Sequence, residues 1–256
     1  MPVEWFLRTA SRSVPSARLF CLPYAGGGAA VYRDWTRAMP ARIQVLPVQL
    51  AGRGWRLNEP PVRDLDRLAE AVSESILPLT DLPYAVFGHS MGAWLAFEVV
   101  RSLEARGSRP VCLFASGRRA PSMPDSDAPL RHLGDEAFVR EVQTRYGGIP
   151  AEILADAEVL SLLLPALRAD IEALETYRYT PAPSLVCPIV ALGGEQDPRV
   201  PVEHLAPWAS ETSGGFDVAT FAGGHFYFQD GPAAVLDVIR RRLDRATGGV
   251  SVGLGG

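Results

Sequence analysis

The chain has 256 residues, of which 47% are hydrophobic and 21% charged, the balance of a folded α/β protein with a substantial core. A net charge of −4 gives no electrostatic reason to bind nucleic acid, and no apolar run approaches membrane-spanning length. All 25 basic residues are arginines, and Cys21, Cys112 and Cys187 lie in or beside apolar runs without zinc-site spacing, so buried reduced thiols, no metal and no cofactor are expected.

In chain order, the strand candidates are RLFCLPY, IQVLPVQL, YAVFGH, VCLFASG, PIVALGG and FDVATFA. They are rich in Val, Leu, Ile and Phe without polar alternation, which suits a mostly parallel sheet covered by helices on both faces. Helical patterns such as LDRLAEAVSESILPL and MGAWLAFEVVRSLEARG supply the cover. The rhythm breaks over about 123–180, where DEAFVREVQTRYGG and AEVLSLLLPALRADIEALETYRY are helical and no strand is evident. This stretch reads as a helical insertion over one end of the sheet. The chain is therefore expected to form one domain over 1–245, with 246–256 a disordered tail. The start, MPVEWFLRTASRS, lacks a signal-peptide core, and a soluble cytoplasmic protein is the expectation.

The third strand runs into GHSMG, which places Ser90 between Gly88 and Gly92 and directly before an apolar helix. A strand–Ser–helix turn of this kind holds the serine in a strained backbone conformation, and the close strand–helix approach excludes side chains two positions away. Ser90 is the candidate nucleophile. Its base should come last in the chain order Ser, acid, His, and His225, on a loop beyond the last strand, fits. His132 and His204 read as solvated residues, and His89 as an elbow residue pointing away from the serine. The acid should follow a strand between these two. In PIVALGGEQDPRV, Asp197 falls on the loop after the strand, with Glu195 the rival and Asp197 preferred for its shorter side chain. Oxyanion donors are expected at the Met91 N–H, on the helix N-terminus, and at Ala25 in LPYAGGGAA, with Tyr24 the fallback.

LPYAGGGAAVYRDW, QLAGRG, FGHSMGAWLAFE, LPALRADIEALETYRY and GGHFYF together resemble the type II thioesterases, stand-alone α/β-hydrolases that accompany polyketide and nonribosomal peptide synthases. The resemblance runs over about 18–242. It implies an α/β-hydrolase fold with the insertion as a lid, and the triad Ser90, Asp197 and His225. It also implies hydrolysis of acyl groups from the phosphopantetheine arm of an acyl or peptidyl carrier protein, in an editing role. The sequence departs from the family at Ala51, where proline is usual, and at Trp55, where a polar residue is commoner. Trp94, Phe97, Phe226 and Phe228 are candidates for acyl-chamber walls, with core packing the expectation for Trp94 and Phe97. Arg33, Arg53, Arg118 and Arg119 are candidates for an arginine patch that grips an acidic carrier. Two other functions fit the same residues: a general carboxylesterase or fatty-acid chain-releasing thioesterase, and a catalytically silent carrier-binding protein.

Overall fold

The computed structural model describes residues 4–7, 13–123 and 127–248. Strands β1 (Ala17–Leu22), β2 (Ile43–Pro47), β3 (Tyr84–His89), β4 (Cys112–Ser116), β5 (Ile189–Gly194) and β6 (Phe216–Phe221) match the six apolar runs. They form one sheet in the order β2-β1-β3-β4-β5-β6, and every neighbouring pair is parallel.

Alternate strand residues feed two cores, because successive side chains point to opposite faces. Phe20, Leu22, Val86, Leu113, Ala115, Ile189 and Ala191 pack on one face. Leu19, Cys21, Ala85, Phe87, Cys112, Phe114, Val190 and Leu192 pack on the other. All three cysteines are free and buried.

The covering helices follow from their periodicity. After the short α1 (Trp35–Ala38), α2 (Leu65–Ile76) buries Leu65, Leu68, Ala69, Val72 and Ile76, an i, i+3, i+4, i+7 stripe. Its first turn is capped by Asp64, whose carboxylate accepts the Arg67 N–H at 3.0 Å. Helix α3 (Met91–Ala105) is buried nearly all round, because it lies between the sheet and α2.

Between β4 and β5 lie only helices among the described residues: α4 (Asp135–Tyr146), α5 (Ala151–Ala155) and α6 (Ala157–Thr176). Helix α6 has two characters. Up to the internal Pro165 no residue is buried, whereas Ala166, Leu167, Ala169, Asp170, Ile171, Ala173 and Leu174 all are. The insertion is thus half cover and half core. After β6 come α7 (Tyr227–Asp230) and α8 (Pro232–Ala246), and the Val235, Leu236, Ile239 and Leu243 stripe of α8 closes the second core. The expected tail from 246 begins where α8 ends, and residues 249–256 lie outside the described residues. No helix among the described residues is long and apolar enough to cross a membrane.

Candidate active site

The β3–α3 turn puts Ser90 at φ 54°, the one positive φ of a non-glycine residue among those described. The geometry around it explains the flanking glycines. A Cβ on Gly88 would sit 1.8 Å from the Gly92 carbonyl oxygen, and one on Gly92 would sit 2.5 Å from the Leu22 carbonyl oxygen. Strand, helix and β1 approach too closely for any side chain there. The Ser90 N–H donates to the Ser116 carbonyl at 2.8 Å, which ties the turn to the end of β4. Met91 begins α3, so its N–H belongs to the first-turn amides that no carbonyl within the helix satisfies.

The β5–β6 edge brings the acid and base candidates together. Gly194 packs against the loop after β6, with its Cβ position 2.2 Å from the Gly224 carbonyl oxygen, so Asp197 and His225 face each other across two adjacent strand ends. His225 Nδ1 lies 2.7 Å from Asp197 Oδ2. Asp197 Oδ1 accepts the Arg199 N–H at 2.8 Å and the Val200 N–H at 3.3 Å. Burial pushes this carboxyl up, but the hydrogen bond and charge of His225 together with the two amides outweigh it and hold the group below the ordinary carboxylate value. Glu195 is exposed and accepts the Thr220 hydroxyl at 3.4 Å, away from His225.

Ser90 and His225 line one cavity of about 360 Å³. No hydrogen bond joins their side chains among the described residues, a looseness common in unliganded hydrolase sites. The Tyr24–Gly28 loop lines part of it, and the apolar lining comes from Phe226 and from the insertion's Val142, Ile149, Ile153, Leu160, Leu163, Leu164 and Leu167. Asp197 is buried behind His225. A larger pocket of about 540 Å³ shares the Tyr146, Ile171 and Leu174 walls but contains none of Ser90, Asp197 or His225. No group of residues able to hold a metal occurs among those described.

Of the four aromatic wall candidates, Phe226 lines the cavity. Trp94 and Phe97 lie in the first core, as expected for them, and Phe228 lies in the second. The arginine patch does not form from the four residues named. Arg53 is 4% and Arg118 5% exposed, because one enters a buried ion pair and the other stacks 3.9 Å over Trp94. Arg119 is half-buried and Arg33 exposed. His132 is exposed, but His204 is half-buried. Ala51 is buried, whereas Trp55 is exposed and its indole N–H donates to the Glu4 carbonyl at 2.8 Å.

Sequence reasoning missed what stands behind the histidine. His89 is fully buried, with its ring centroid 4.9 Å from that of His225. Its Nδ1 lies 2.8 Å from Ser116 Oγ, which lies 2.6 Å from the Tyr227 hydroxyl. Burial, helped by His225, pushes the His89 pKa well down, so a neutral ring supports the second histidine. The only sequence signal for this was the adjacency of His89 to Ser90.

Known proteins resemble the chain over this whole frame. The Thioesterase domain family matches residues 17–243. The gramicidin S biosynthesis protein GrsT of Aneurinibacillus migulanus is 38% identical over 241 residues, covering 94% of each chain. The thioesterase PikA5 of Streptomyces venezuelae is 41% identical over 228 residues, 88% of this chain and 80% of that one. Among solved structures, the type II thioesterase BorB from the borrelidin biosynthetic cluster superposes with a TM-score of 0.85 at 40% identity, over 93% of this chain and 97% of that one. A parallel sheet with an elbow serine at its centre and a helical insertion over its end is the α/β-hydrolase fold, and the chain belongs to the thioesterase domain family as a type II thioesterase, a thioester hydrolase.

Proposed function

We propose that the chain removes acyl groups from the phosphopantetheine arm of an acyl or peptidyl carrier protein, as an editing enzyme of polyketide or nonribosomal peptide synthesis in the cytoplasm. Ser90, His225 and Asp197 are the catalytic residues of this reading. The observation that carries it is the strained Ser90, which lines one apolar cavity together with His225, whose Nδ1 is held by Asp197.

The chemistry follows from these positions. Ser90 Oγ attacks the thioester carbonyl carbon while His225 Nε2 takes the hydroxyl proton. Negative charge develops on the carbonyl oxygen, and in this reading the Met91 and Ala25 N–H groups donate hydrogen bonds to it. The C–S bond breaks, the imidazolium protonates the leaving thiol, and an ester remains on Ser90. Water, deprotonated by His225, then attacks that ester, and the tetrahedral intermediate collapses to free acid and the restored serine. Asp197 keeps Nδ1 protonated and stabilises the transient imidazolium.

The roles of GrsT in gramicidin S biosynthesis and of BorB in a borrelidin cluster support a carrier-borne substrate. So does the shape of the site, since a buried serine beneath a helical insertion suits a long, thin arm. With Arg53 and Arg118 turned inward, long-range steering has little to work with. The test compares kcat/KM for propionyl groups on a carrier protein and on a small thiol. A strong carrier preference, little changed by salt, is expected. Equal rates would favour a general esterase.

A further inference from the structure

The helical insertion and the glycine loop meet at one buried ion pair. Asp170, in the buried half of α6, is 1% exposed, and its partner Arg53 comes from the segment after β2. Arg53 Nη1 and Nη2 donate to Asp170 Oδ2 and Oδ1 at 2.5 and 2.8 Å, a bidentate fork. The same Oδ2 accepts the Gly26 N–H at 2.7 Å, and Arg53 Nη1 also donates to the Gly27 carbonyl at 3.0 Å. One turn before Asp170, Leu167 Cδ1 lies 2.9 Å from where a Gly26 Cβ would be.

These bonds fix the Ala25–Gly26 peptide through its N–H and the Gly27–Gly28 peptide through its carbonyl, on either side of the Gly26–Gly27 peptide. The Gly27 N–H donates to the Tyr24 carbonyl at 2.9 Å, closing a four-residue turn whose third residue, Gly26, has φ 78°. That value is the one a type II turn demands. Asp170 occupies the Gly26 N–H, and so fixes the plane of the Ala25–Gly26 peptide and with it the direction of the turn. A buried ion pair is a poor source of cohesion compared with a well-packed apolar pair. What an apolar pair cannot supply is oriented bonds to both peptides.

We propose that Arg53 and Asp170 are positioning residues that hold the oxyanion turn in register with α6, so that the Ala25 N–H points at the developing oxyanion only when the buried half of α6 is seated. This rests on the proposed Ser90 acyl-enzyme reading. It makes the insertion a support for the oxyanion turn as well as a cover.

The test uses Arg53→Lys, Asp170→Asn and the double variant Arg53→Met/Asp170→Leu, with folding checked by circular dichroism and thermal melts. kcat and KM for a propionyl-pantetheine thioester are measured with the inhibition constant of a trifluoromethyl-ketone analogue, which binds as an oxyanion. The folded double variant is expected to lose about ten- to a hundredfold in kcat, with KM changed by less than about twofold. Its inhibition constant should rise by the same factor as kcat falls. The single variants should move in the same direction, and Arg53→Lys, the mildest change, carries the test if the others do not fold. A purely structural pair predicts wild-type kcat in the folded double variant, and that result overturns the proposal. So does a loss confined to KM, or a kcat loss without weaker inhibition. Ser90→Ala is assayed alongside: if it keeps turnover, the triad reading fails; if it is inactive while the double variant is normal, the positioning proposal alone fails.

Discussion

His225 Nδ1 and Asp197 Oδ2 are 2.7 Å apart, and the other oxygen of the same carboxylate is held by the amides of Arg199 and Val200. The acid therefore cannot rotate away from the imidazole without losing bonds on both sides. Asp197→Asn keeps the shape but removes the charge that stabilises the imidazolium and allows the wrong tautomer, so kcat should fall by about 10⁴-fold. Glu195→Gln, whose residue faces Thr220 instead, should leave kcat within about twofold. Steady-state kinetics on the two variants checks this, and exchanged phenotypes would reassign the acid.

The same carboxyl should mark the acid limb of stability. Its folded-state pKa is depressed, so its contribution is present above the ordinary carboxylate value and is lost as pH falls through the lower folded value. Below about pH 4, the wild type should lose stability more steeply than Asp197→Asn as pH falls. Urea midpoints measured across this window test the sign, and parallel curves would contradict it.

At the elbow, the serine and its glycines should separate cleanly in phenotype. Ser90→Ala removes one hydroxyl and should keep the fold while turnover drops by more than about 10³-fold. Gly88→Ala must displace backbone, because its Cβ would lie 1.8 Å from the Gly92 carbonyl oxygen. It should cost at least about 3 kcal/mol of stability. Denaturation of both variants, with activity, distinguishes a chemical role from a spatial one.

The lid expected over 123–180 divides in the structure, because the buried residues of α6 begin at Ala166. We propose that access control resides in α5 and the first half of α6, which line the cavity through Ile153, Leu160, Leu163 and Leu164. Leu164→Trp should narrow the chamber and lower kcat/KM for decanoyl thioesters at least tenfold more than for propionyl, about 1.4 kcal/mol of discrimination. Equal losses for both chain lengths would count against these residues setting substrate size.

All six strands and the elbow could be read from the chain, because both rest on local signals. Strands β1 to β5 are mostly buried and read as apolar runs, whereas β6 at the sheet edge is half exposed, and close backbone packing at Gly88 and Gly92 demands glycine whatever lies elsewhere. The candidates Ser90, Asp197 and His225 could be ordered along the chain in the same way, and the 2.7 Å Asp197–His225 contact joins two of them. What escaped was everything decided by contacts distant in sequence. Asp170 reads as an ordinary polar residue on an amphipathic helix, and only its approach to Arg53, 117 positions away, gives it a role. Arg53 and Arg118 read as surface charges because nothing local announces a buried carboxylate or a tryptophan face. The Tyr227–Ser116–His89 chain joins three elements and has no sequence signature.

The proposed hydrolysis passes through an acyl ester on Ser90 formed from a carrier-borne thioester. The most direct measurement mixes the enzyme with an acylated carrier protein, quenches in acid within milliseconds, and maps the adduct by peptide mass spectrometry. The acyl mass is expected on the peptide that contains Ser90, decaying as free acid appears and missing in Ser90→Ala. An acyl group found on another residue, or full turnover by Ser90→Ala, would contradict it.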